Sequence, residues 1–185
     1  MNYTTKIKAA ARVVCMAIIL FSVSAYIGLK RQTSQNTQVK ILNKLIQANI
    51  DRIAAYETAS RETKELYLKK LFTRFANTSR ACKEELDMEV LRLEGEPVKG
   101  TNTTLKIYQI WMGTKSMLSN HDVETILSSC DFGEQISEDI YGTTISKDSA
   151  SLESRQLTMI YVQIQSIKAE HNRVIGLQNL MSINY

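Results

Sequence analysis

A single proline, Pro97, and seven glycines in 185 residues leave this chain very few places where a helix must stop. A fold of short strands and tight turns needs many more such breaks, so the expected class is all-α. Its length and 44% apolar content suit one well-buried domain with an appendage better than two ordinary domains.

Four stretches carry apolar residues at three- and four-residue steps, the mark of a helix with one buried face. The first, from Gln38 to about Arg61, aligns Leu42, Leu45, Ile46, Ile50 and Ile53. The second, from about Glu65 to Glu94, aligns Leu68, Phe72, Phe75, Ser79, Cys82, Leu86 and Leu93, then meets the stop signals Gly95 and Pro97. A third, from about Asp122 to Ile145, turns Ile126, Leu127, Cys130, Gly133 and Tyr141 inward, with Ser119 or Asn120 as its N-cap. The fourth, from about Ala150 to Leu180, presents Leu157, Ile160, Ile164, Ile167, Val174 and Ile175.

The connections decide the topology. The first and third are only a few residues long, whereas the second, Glu96 to Asn120, is long enough to cross the height of a bundle. Short, long, short is the pattern of a ferritin-like four-helix bundle, here over residues 38–181. The crossover holds the apolar stretch LKIYQIWMGTKSML, with Trp111 expected to cover one end of the core.

Ahead of the bundle, residues 13–29 (VVCMAIILFSVSAYIGL) carry no charge and are flanked by Arg12 and by Lys30-Arg31. Residues 1–31 therefore read as a single-pass membrane anchor, with residues 12–29 in the bilayer, or as a cleaved signal peptide ending near Val23-Ser24-Ala25. Residues 32–37 (QTSQNT) read as a polar linker.

The formal charge of +4 belongs to this N-terminal part, which holds Lys6, Lys8, Arg12, Lys30 and Arg31 and no acid. The remainder, with 18 basic and 19 acidic groups, is nearly neutral, and a nucleic-acid partner is not expected. Cys15, Cys82 and Cys130 lack the close spacing of zinc sites and read as small buried side chains, with a bridge between the last two left open.

Five motifs carry a family likeness: DRIAAYETA at 51–59, LRLEGEP at 91–97, WMGTK at 111–115, CDFGEQISEDIY at 130–141 and KAEHNRV at 168–174. They resemble a bacterial family of uncharacterised ferritin-like four-helix-bundle proteins over about residues 38–180. The resemblance implies the fold and no activity, and the N-terminal segment looks like an addition to it.

A ferritin-like di-iron centre would need carboxylates from two helices and Glu-x-x-His from the other two. The only histidines, His121 and His171, follow Leu118 and Lys168 at that spacing, so the motif is missing. Three polar residues nevertheless fall at expected core positions and are the candidate metal ligands: Glu57, Glu134 and His171. Glu85 and Glu89 flank the apolar face of the second helix. Counting rise along the helices puts Glu57 and His171 near one height and places Glu134 level with Asn49, Ser79 and Gln163. His121 with Glu124 reads as a polar first turn.

No phosphate loop, nucleophile elbow or cysteine-histidine signature occurs. The expectation is a non-enzymatic, membrane-anchored bundle without a cofactor, acting through a protein partner or as a homo-oligomer in an envelope or stress-related role. The alternative is a metal-binding or redox protein holding iron, manganese or zinc on a reduced ligand set.

Overall fold

The computed structural model describes residues 3–100 and 122–182, with side chains at Met16 and from Phe21 onward. Four α-helices lie among the described residues: α1 Tyr3–Glu62, α2 Leu66–Arg92, α3 Val123–Thr143 and α4 Ser154–Ser182. No strand occurs among them. The chain divides into two compact units, Met1–Thr37 and Gln38–Tyr185.

The first unit is the N-terminal part of α1. Its residues 32–37, expected as a linker, are helical: Thr33 and Thr37 donate their hydroxyls to the carbonyls of Leu29 and Thr33, and Gln32 donates to Asn36. Among the described residues no helix is long and apolar enough to cross a membrane, which overturns the single-pass anchor and the membrane localisation expected from residues 12–29. The side chains of residues 12–15 and 17–20 lie outside the described residues.

In the second unit, the helices close on two apolar clusters. One joins Ala55, Tyr56 and Ala59 of α1, Leu68, Phe72 and Phe75 of α2, Ile126 and Leu127 of α3 and Val174 of α4. The other joins Leu42, Leu45 and Ile46, Leu86 and Val90, Ile140, and Ile160 and Ile164. The start of α2 thus shares a cluster with the start of α3, and the start of α4 shares one with the bundle's first turns of α1. Helices α2 and α3 run parallel to each other and antiparallel to α1 and α4.

The junctions explain the boundaries. Thr63 closes α1 through its amide to the Ala59 carbonyl, and its hydroxyl accepts the Glu65 amide, so α2 begins at once. α3 is capped by Asp122, whose carboxylate accepts from the Thr125 amide, in place of the expected Ser119 or Asn120, which lie outside the described residues. It ends through a π-helical turn, Thr144–Asp148, and a 3-10 turn, Ser149–Ser151.

At the end of α2 the left-handed residue is Glu94, at φ 59°, and not the expected Gly95. Gly95 is required for a different reason, since a Cβ there would come within 2.6 Å of Val39. Asn43 then donates to the Glu96 carbonyl and accepts the Val98 amide, holding the next residues along α1. The expected crossover residues 101–121, with Trp111 and His121, lie outside the described residues.

Candidate functional site

Between the two apolar clusters lies a buried charged layer built by all four helices. Arg52 of α1 is 1% exposed and is among the largest fully buried side chains of the bundle. Its Nη1 donates to Glu134 of α3 at 2.5 Å, its Nη2 to Glu170 of α4 at 2.7 Å and its Nε to the Ser79 hydroxyl of α2 at 3.1 Å. Tyr56, one turn along α1, donates to the other oxygen of Glu134 and lies beneath the guanidinium, 5.5 Å from its ring centre. A buried charge is tolerable only when its hydrogen-bonding capacity is used, and here every nitrogen of the guanidinium has an acceptor.

One cation faces two carboxylates, and the imbalance appears in their acidity. Burial raises Glu134 above the usual carboxylate range, and Arg52 and the Tyr56 hydroxyl reverse only part of the effect. Glu170 is raised for the same reason, against Arg52 and the Thr78 hydroxyl. Burial opposes the charge on Arg52, but Glu134 and Glu170 more than compensate and hold it cationic. The Tyr56 phenol is pushed well up by burial and by Glu134, so it remains a donor.

About one turn away, a hydrogen-bonded layer forms a relay. Asn49 donates to the Tyr141 hydroxyl at 2.7 Å, Tyr141 donates to Gln163 at 2.8 Å, and Gln163 donates to Glu85 at 2.8 Å and to the Cys82 carbonyl. At the far end, Glu89 is 5% exposed and accepts from Arg92, Arg155 and Gln156.

The three candidate metal ligands go to separate places. Glu134 is fully buried in the Arg52 layer. Glu57, expected inside, is half-exposed and paired with Arg80 of α2, because its position on α1 faces the flank of the helix pair. His171 is half-buried between Asp131, at 2.6 Å from Nε2, and Glu138, at 2.7 Å from Nδ1. Burial pulls its pKa down, but these two carboxylates outweigh it and leave it raised. Glu57 and His171, expected at one height, therefore meet different partners. Among the described residues no group of three or more His, Cys, Asp or Glu side chains converges as a metal-binding set. A guanidinium already sits between the two interior carboxylates, and that arrangement does not fit a di-metal centre.

Ser79 does lie at the level of Glu134, as expected, while Asn49 and Gln163 belong to the neighbouring layer. Arg52, Tyr56 and Glu170 were missed. Their spacing could have exposed them: Arg52 lies seven residues after Leu45 and four before Tyr56, and Glu170 lies three after Ile167 and four before Val174. Cys82 and Cys130 are free and buried, and burial raises both thiols, Cys82 to about 11.

Residues 37–147 match the family model described as a domain of unknown function, DUF2383. The chain belongs to the DUF2383 family. The match takes in the bundle part of α1, all of α2 and all of α3, which carry Arg52, Tyr56, Ser79 and Glu134. Glu170 and His171 of α4 lie beyond the matched residues of this DUF2383 protein. No curated protein matches the chain.

Proposed function

We propose that this DUF2383 chain is a ferritin-like bundle that acts through protein contacts, with a second copy of itself as the partner, and not through catalysis. The ferritin-like reading is supported by the parallel run of α2 and α3, since a link from Leu93 to Val123 joins opposite ends of the domain. It is supported further by the residues after Gly95, which pass from Val39 to Asn43 along α1, toward the end where α3 begins.

The observation that carries the contact reading is an apolar strip on the outside of α2 and α4. Met88, Leu91 and Val162 are 64%, 60% and 62% exposed. Met88 and Val162, with Met159, line a groove of about 460 Å³. Exposed Glu84 and Glu85 lie toward one end of this strip, and Arg92 and Arg155 toward the other. A two-fold axis through the strip would cover Met88, Leu91 and Val162 of each copy with those of the other. Every nitrogen of the interior guanidinium of Arg52 is already bonded within the bundle, which supports a scaffold in preference to a reaction centre.

Sedimentation of the full chain tests this. A dimer is expected at micromolar concentration, and Met88→Glu with Val162→Glu should leave monomers of unchanged helicity. A wild-type chain that stays monomeric at all concentrations, or a variant that dimerises as well as wild type, would sink the reading.

A further inference from the structure

The same α2–α4 seam opens into a second groove nearer the start of α2, of about 310 Å³, the lower end of the range used for small ligands. Two guanidiniums line it, Arg74 from α2 and Arg173 from α4. Both are exposed, and neither has a carboxylate ion pair among the described residues, unlike Arg80, Arg92 and Arg155. Arg173 spends one nitrogen on the Tyr67 hydroxyl at 2.7 Å, which fixes its direction and leaves other N–H groups free. The Thr78 and Ser166 hydroxyls also line the groove, and Leu71, Phe75 and Ala169 supply an apolar wall.

At the floor lies Glu170. Its charge is answered chiefly from inside by Arg52 at 2.7 Å and by the Thr78 hydroxyl and less by Arg74, so it offsets only part of the outer positive charge. Two guanidiniums facing one groove match the oxygens of a tetrahedral oxyanion, and the volume beyond a bare anion lies against the apolar wall. We propose that this groove binds a small organic phosphate, its phosphoryl oxygens held by Arg74 and Arg173 and its organic part laid on the apolar wall at Ala169.

The test is calorimetric titration of the full chain with phenyl phosphate and, separately, with inorganic phosphate. Phenyl phosphate should bind several-fold more tightly than inorganic phosphate, and both should weaken as salt is raised. Arg74→Gln with Arg173→Gln should lower phenyl phosphate affinity at least about tenfold, the loss expected for charge-assisted hydrogen bonds. Should that double variant lose helicity, Arg74→Lys and Arg173→Lys keep the charge but not the planar fork, and each should still weaken binding several-fold. Glu170→Gln should tighten it by removing the opposing charge at the floor. No heat of binding at millimolar phenyl phosphate, equal affinity for the two probes, or full affinity in the arginine variants would overturn the assignment.

Discussion

Glu134 and Glu89 are both buried carboxylates bound to arginine, yet their acidities move in opposite directions. Glu134 shares one guanidinium with Glu170 between the two apolar clusters, and burial wins, so its pKa is raised. Glu89 accepts from Arg155, Gln156 and Arg92, the last shared with Glu153, at the end of the bundle, and these outweigh burial, so its pKa is lowered. Donor count and access to water set the sign, and the nearness of an arginine alone does not. Asp51 extends the series: it is 1% exposed, accepts only from Gln47, has one oxygen without a partner and rises to about 6.

The sharpest way to break this comparison is Arg52→Ala. It leaves two carboxylates buried without their cation and should cost about 3–5 kcal/mol in urea denaturation at pH 7. A loss under about 1 kcal/mol would mean that the layer is hydrated. Next in size, Asp51→Asn should stabilise the chain by about 2 kcal/mol at pH 7. A folded pKa of about 6 against the ordinary 3.8 favours the fold only below that range, and the benefit disappears as pH rises through 6. The variant should therefore show a flatter stability profile between pH 4 and 7.

Glu134→Gln and Glu89→Gln sharpen the contrast itself, with effects of about 1–3 kcal/mol. The raised pKa of Glu134 makes its contribution greatest below the ordinary carboxylate value of 4.5 and smaller as pH rises. The lowered pKa of Glu89 gives a contribution that is present above 4.5 and fades in acid. The wild-type advantage over the two variants should accordingly slope in opposite directions with pH, and parallel slopes would refute the account. The smallest effect belongs to Arg92→Ala, at most about 1 kcal/mol, because Arg155 and Gln156 still hold Glu89.

Much of this architecture was legible before any coordinates. The three- and four-residue steps located the bundle part of α1 and all of α2, α3 and α4 to within a few residues, because side-chain periodicity is a local property of the chain. The stop at Gly95 was found for a partly wrong reason: the glycine makes room for Val39, while Glu94 takes the left-handed turn. The site was harder to read. Glu134 was placed inside correctly, but Glu57, next to buried Tyr56, turned out to face Arg80 on the flank, a choice one helical step of about 100° decides. The anchor was read from the uncharged run at residues 13–29, and among the described residues no helix is long and apolar enough to cross a membrane.

By itself the amino-acid order determined that the chain is helical, where the bundle helices lie and which broad face of each is apolar, because these follow from spacing and from a scarcity of breakers. Only the tertiary structure decided that Arg52 would take Glu134 and Glu170, partners 82 and 118 residues away, and that Glu57 would leave the core for Arg80. Such pairings depend on the rotation and height of one helix against another, quantities that no single helix's periodicity contains.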